Sequence, residues 1–262
     1  FTIPTTGSSI TLSDGYTRVM DVNGDGLKDI VKSQYNGGNP IFQVLKNNGN
    51  GWDLDNSWTQ PTYIYKDAYG RDIQSIFYFD TKVVTGDWNG DGRDDLVMFT
   101  VTPISGEGDV LNNIVLINNG SGWVQDMNVT ATATAFYESR TVHIQSGNGR
   151  SYFGDLNGDG LMDYVHADNS QINGIHYPVF AVWYNQNGNL VWDSTVQLPW
   201  VNNINSSQST PFILISKTRS LDINNDGLID FISASDPKYG STVPFWVLLN
   251  NGHGWTQDTT IS

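Results

Sequence analysis

One nine-residue stretch constrains this chain more than any other. DVNGDGLKD at 21–29 crowds aspartates and glycines into a tight turn ahead of an apolar pair, Ile30 and Val31. It recurs as DWNGDGRDD from Asp87, DLNGDGLMD from Asp155 and DINNDGLID from Asp222. Every copy has aspartate at its first, fifth and ninth positions. Carboxylates that close repel one another unless something cationic sits between them. The copies start at Asp21, Asp87, Asp155 and Asp222, a nearly constant interval, and a fixed period signals a repeat architecture.

A second signal runs in phase. NNGNGW ends at Trp52, NNGSGW at Trp123, NQNGNLVW at Trp192 and NNGHGW at Trp255, each near the middle of the interval that its aspartate turn opens. Asn-Gly pairs are hairpin chemistry, because both residues accept positive φ at low cost. Strand-like runs lie between the two signals. DIV (29–31), DLVMF (95–99), DYVHA (163–167) and DFISA (230–234) follow the aspartate turns. IFQVL (41–45), NIVLI (113–117), VFAVWY (179–184) and FWVLL (245–249) precede the asparagine turns. The near-continuous apolar character of the second set predicts strands covered on both faces. No window has a helical period of useful length.

The expectation is an all-β fold: a β-propeller of four repeats of about 67 residues, each a blade of roughly four antiparallel strands with one aspartate loop. A chain of 262 residues is long enough for one large all-β domain or two ordinary ones. Residues 1–262 are read as a single propeller domain with repeats at approximately 1–60, 61–128, 129–196 and 197–262. The stretches from each tryptophan to the next loop, 53–86, 124–154 and 193–221, are similar in length. The segments 1–20 and 256–262 together nearly supply another, as a ring closed by pairing its ends would need. The period is generous for four strands and predicts extended loops.

The loop has the composition of a site for a hard cation. Ca2+ takes six to eight oxygens at about 2.3–2.6 Å, and D-x-N-x-D-G-x-x-D can wrap one with side-chain oxygens from positions 1, 3, 5 and 9 and a carbonyl from position 7. The candidate ligands are Asp21, Asn23, Asp25, Leu27 and Asp29; Asp87, Asn89, Asp91, Arg93 and Asp95; Asp155, Asn157, Asp159, Leu161 and Asp163; and Asp222, Asn224, Asp226, Leu228 and Asp230. Leu27, Arg93, Leu161 and Leu228 would contribute carbonyls. About four Ca2+ ions are expected. An EF-hand is excluded, because position 12, a bidentate Glu in that motif, holds Lys32, Met98, His166 and Ser233. All-oxygen ligation disfavours Zn2+ and Cu2+, and Mg2+ prefers to keep several waters. Four equal copies read as structural rather than catalytic.

Charge agrees with this. The net charge is −14, and 12 of the 27 acidic residues stand at those loop positions, so four divalent ions would bring the total to −6. Such a balance argues against nucleic-acid binding through phosphate neutralisation. No apolar run approaches the ~20 residues of a membrane helix, so no membrane span is expected in this segment. The start, FTIPTTGSSITL, reads as a processed or trimmed end. Cysteine is absent, which leaves the redox compartment open.

At the quoted loops the sequence resembles the FG-GAP/VCBS repeat family, the calcium-loop propeller blades of integrin α-subunit heads and many bacterial surface proteins. YFGDLNGDGLMDYV (152–165) and VTGDWNGDGRDDLVMF (84–99) carry the resemblance most fully. The first and fourth copies have Met20 and Leu221 in place of the glycine before the loop, and the fourth has Asn225 at position 4. The NNG-x-GW element resembles the version found beside RHS/YD-repeat and toxin-complex B-type proteins. The resemblance implies an extracellular (secreted or cell-surface), calcium-stabilised binding or adhesion module that engages a protein, or alternatively a glycan. Family propellers more often have six to eight blades, so further blades or domains of a longer chain are a second expectation.

The nine tryptophans invite a lectin reading, since aromatic faces stack on sugars. The phased tryptophans are read as packing between blades. Trp58, Trp88 and Trp200 fall outside that phase and are the ligand-binding candidates. His143, His166, His176 and His253 have no partner at metal-ligand spacing, and no nucleophile elbow, H-E-x-x-H helix or phosphate loop is present. The chain is therefore not read as an enzyme, although propeller hydrolases and lyases exist. The least repetitive segments, 62–80, 130–150 and 199–211, are candidate binding loops, and the first two hold Lys66, Arg71, Arg140 and Arg150.

Overall fold

A computed structural model describes residues 10–67, 69–79, 83–104, 108–129, 134–137, 140–143, 151–172, 175–196, 200–202, 209–211, 218–234, 245–258 and 260. The chain is all-β. Its four main sheets each have four antiparallel strands joined in consecutive order, the arrangement of a propeller blade. The first blade comprises Thr17–Met20, Asp29–Asn36, Asn39–Asn47 and Trp52–Asp55, and the second Val84–Gly86, Asp95–Ile104, Gly108–Asn118 and Trp123–Gln125. The third comprises Ser151–Gly154, Asp163–Ile172, Ile175–Gln186 and Asn189–Asp193, and the fourth Thr218–Leu221, Asp230–Ala234, Phe245–Asn250 and Trp255–Asp258. No helix occurs among the described residues.

The long period has a physical explanation. A separate two-stranded hairpin follows each of the first three blades: Thr62–Lys66 with Asp72–Ile76, Thr134–Tyr137 with Arg140–His143, and Trp200–Asn202 with Ser209–Pro211. The expected extended loops thus include paired strands. Residues 62–80 hold the first of these hairpins, and its cations are already matched, Lys66 to Asp72 at 2.6 Å and Arg71 to Asp67 at 2.7 Å. Arg150 lies outside the described residues. Among the described strands, no sheet joins the two ends of the chain as terminal pairing would require.

The blades group in twos. One compact unit is Phe1–Thr130 with Gln145–Gly147; the other is Ala131–Ile144 with Asn148–Ser262. Each has its own core, and corresponding positions fill both. Val22, Val31, Val44, Leu96, Leu116 and Trp123 are buried in the first, and Leu156, Val165, Val182, Phe231, Leu248 and Trp255 in the second. Phe42 meets Trp123 edge-on with centroids 6.3 Å apart, and Phe180 meets Trp255 in the same way at 5.9 Å. The third strands bury consecutive residues, Val44-Leu45, Val115-Leu116, Val182-Trp183 and Val247-Leu248, so both of their faces are covered.

One phased tryptophan does not fit the pattern. Trp52, Trp123 and Trp255 pair across their hairpins with Asn47, Asn118 and Asn250. In the third blade Leu190 pairs with Asn185 and is fully buried, whereas Trp192 stands two residues further on, opposite Trp183. The turn has the same length in all four blades, because Leu190 follows Asn185 at the spacing with which Trp52 follows Asn47, so leucine stands in the tryptophan's place. Asn187 and Gly188 turn this hairpin at φ 55° and 87°.

Candidate functional site

Each aspartate loop joins the first and second strands of its blade, and the four copies share one hydrogen-bond scheme. The position-1 carboxylate accepts the backbone N–H of position 6, from Gly26, Gly92, Gly160 and Gly227, at 2.7–2.9 Å. The same carboxylate accepts the N–H of Gly24, Gly90 or Gly158 at 2.7 Å. The position-3 asparagine amide donates to the position-5 aspartate in all four, from Asn23 to Asp25, Asn89 to Asp91, Asn157 to Asp159 and Asn224 to Asp226. That aspartate accepts the N–H of Leu27, Arg93, Leu161 or Leu228. The scheme curls each loop back onto its first aspartate. Position 6 lies at φ 82–88° in every copy, a region glycine enters without strain.

The ninth-position aspartates, Asp29, Asp95, Asp163 and Asp230, are fully buried. One oxygen of each accepts the N–H of position 2: Val22, Trp88, Leu156 or Ile223. The other accepts the N–H of the asparagine ending the third strand: Asn47, Asn118, Asn185 or Asn250. This bracket explains why the two sequence signals keep phase, since the aspartate loop and the asparagine turn are bonded to each other. Those asparagines were not among the expected site residues. Their signal was present, as the first letter of each asparagine turn.

Asn118 also ties neighbouring blades together. Its amide donates to Val22 O at 2.9 Å and to Asp94 O at 3.3 Å. Asn250 does the same in the second unit, to Leu156 O at 2.9 Å and Ile229 O at 3.2 Å. The loops themselves touch. Asp94 N–H donates to Asp21 O at 2.7 Å, and Ile229 N–H to Asp155 O at 3.3 Å. Gly154 is needed for this approach, because a Cβ there would meet Ile229 Cγ1 at 2.8 Å.

Oxygen chemistry and spacing fit a divalent cation most directly in the third loop. Carboxylate oxygens of Asp155, Asp159 and Asp163 all lie within 4.8 Å of one another. Two oxygens bound to one Ca2+ are separated by at most about twice its 2.3–2.6 Å ligand distance. Among the described residues this is the one acidic group at such spacing. In the second loop Arg93 places its guanidinium 2.6 Å from Asp91, a local counter-charge. Electrostatics report the crowding. Burial pushes the carboxyls of Asp95 and Asp163 up to about 7, with backbone N–H bonds opposing and the neighbouring loop aspartates adding to the rise. Asp29 is raised for the same leading reason.

The tryptophan candidates fare differently. Trp88 is 1% exposed and Trp58 6%, the latter packed on Trp123 with centroids 4.7 Å apart. Neither offers a face to a sugar, which corrects the expectation: Trp58 packs in the core of the first unit, and Trp88 is buried. Trp200 begins a hairpin strand, and its side chain falls outside the described residues. Trp123 and Trp255 pack into the cores as read, while Trp52 is half-buried and donates through its indole to Lys28 O at 3.2 Å.

The sequence matches no model of a known protein family and no curated protein. Fold and loops together define the class: an all-β repeat protein of propeller-type blades, each opening on an aspartate loop.

Proposed function

We propose that the four loops bind Ca2+ and that the chain is a calcium-stabilised, extracellular binding module of the FG-GAP/VCBS type. One observation carries the reading: three carboxylates of the third loop converge to within 4.8 Å on a turn whose bond from position 6 to the first aspartate recurs in the other three loops. Side-chain oxygens of Asp155, Asn157, Asp159 and Asp163, with the carbonyl of Leu161, would hold the ion there. The equivalent residues would hold it in the other loops. The ion supplies charge neutralisation. The residues supply a rigid turn, already stitched by backbone N–H groups, that fixes the blade's first hairpin.

A module of this kind works by presenting a surface to a partner protein, and an extracellular setting supplies the millimolar calcium that keeps modest sites filled. Metal binding then becomes folding free energy. Each filled loop contributes about 2.7 kcal/mol when free calcium is about 100 times its Kd. Chelation with EDTA should therefore lower the melting temperature sharply, Ca2+ should restore it, and Mg2+ should restore less. A melt that EDTA leaves unchanged overturns the proposal.

A further inference from the structure

The two units are close copies, and one difference between them opens a cavity. In the first unit the third strand carries Lys46, whose ammonium lies 2.7 Å from Asp55 at the end of the fourth strand. Asp55 also accepts the N–H and hydroxyl of Ser57 at 2.9 and 2.6 Å. Trp58 follows and is buried against Trp123 of the next blade.

Strand register gives the equivalent positions in the second unit. Val44 pairs with Asp55, and Val182 pairs with Asp193. Tyr184 therefore stands where Lys46 stands, Thr195 where Ser57 stands, and Val196 where Trp58 stands. Asp193 is held by the same device: its Oδ1 accepts the Thr195 N–H at 2.7 Å and the Thr195 hydroxyl at 2.6 Å. Its lysine is missing, and no ion pair reaches it among the described residues. The large indole is missing too. What remains is an open pocket of about 380 Å³ between the third and fourth blades, lined by Asp159, Tyr184, Asp193, Val196 and His253 among others.

We infer that this pocket binds an alkylammonium group carried on an apolar or aromatic body, with the ammonium at Asp193 and the body in the space left by replacing Trp58 with Val196. The first unit shows what such a position holds, since the chain fills it there with its own amine and its own ring. Asp193 is fixed by Thr195 and has an oxygen to spare, so an incoming N–H finds a positioned acceptor, and charge-assisted bonds are the stronger kind. Tyr184 and Val196 pack against the core of the second unit and give the ligand body an apolar wall. Burial and the nearby charge of Asp193 push the Tyr184 phenol up to about 12, so it stays protonated and serves as a neutral partner. The inference goes beyond the calcium reading: the loop residues Asn157 and Asp159 form part of the pocket wall, whereas the groups that would take the ligand, Asp193 and Tyr184, belong to strands.

Two probes distinguish a lysine side chain of a partner protein from a free small amine: N-acetyl-lysine methylamide and phenethylamine. N-acetyl-norleucine methylamide is the neutral control. Titrations at millimolar calcium should give saturable shifts in the backbone NMR signals of Gly158 and Gly252 with an amine and none with the control. A response to the lysine probe alone assigns the site to a partner's lysine, and a response to phenethylamine alone assigns it to a small amine. Asp193→Asn should weaken binding by about ten-fold or more, the scale of a hydrogen bond to a charged group. The pair Tyr184→Lys and Val196→Trp, which copies the first unit, should abolish binding while keeping the melting temperature. Equal response to the control, no response to either amine, or unaltered binding in the self-filled variant overturns the inference. A melt insensitive to EDTA overturns the calcium proposal alone.

Discussion

Asparagine at position 225 shows what the loop demands of a single residue. Position 4 is glycine in the other three copies, at φ 75°, 79° and 83°, and Asn225 adopts φ 61° in the same place. Asparagine is among the few side chains that tolerate this region, because its short amide can bond locally. The substitution is therefore a compatible alternative rather than a lesion. Asn225→Gly should shift stability by no more than about 0.5 kcal/mol, whereas Asn225→Val, β-branched at positive φ, should cost about 1–2 kcal/mol. Urea midpoints at constant slope measure both. A tolerated valine would mean that the fourth loop does not hold this backbone.

Each loop is also an electrostatic element, and its pH response has a definite sign. The Asp95 and Asp163 carboxyls are raised from an ordinary value of 3.8 to about 7 by burial. A raised acid favours its protonated form in the folded state. Its contribution is present in full below the unfolded value and is lost as pH climbs through the folded one. In EDTA the melting temperature should thus fall between about pH 4 and about pH 7. Calcium replaces those protons and needs the carboxylates ionised, so the fall should vanish or reverse when it is present. A chelated protein that gains stability over that interval contradicts this. The element scale is also where sequence was most legible. Strands, loops and asparagine turns follow from β-branched runs bounded by Asp, Asn and Gly, because those residues act locally. The hairpins between blades were hidden, since their short runs in 62–76 and 134–143 repeat nowhere else in the period. Leu190 was hidden because a matching letter, Trp192, stood two places further on, although Leu190 keeps the spacing from Asn185 that Trp52 keeps from Asn47. Trp58 misled because burial is decided by a neighbouring blade, which no local pattern reports.

At the scale of the whole molecule, four evenly spaced loops suggest four equivalent blades, yet the chain divides into two compact units of two blades each. Asn118 joins the first blade to the second through Val22 O, and Asn250 joins the third to the fourth through Leu156 O. Each pair encloses its own core around Trp123 or Trp255. The sequence period is blind to this, because the loop sequences mark blades and not the partners they pack against. If two blades are the cooperative unit, a lesion in one pair should stay there. Asn118→Ala removes both amide donations and the Gly120 N–H acceptor, at a cost of about 2–3 kcal/mol from the bonds lost. Native-state hydrogen exchange, which resolves sub-global opening, should then show lost protection in the slowest amides of the first two blades and none in the last two. Asn250→Ala should give the mirror result. Equal loss of protection throughout the chain after either substitution would make all four blades one cooperative body and would dissolve the pairing.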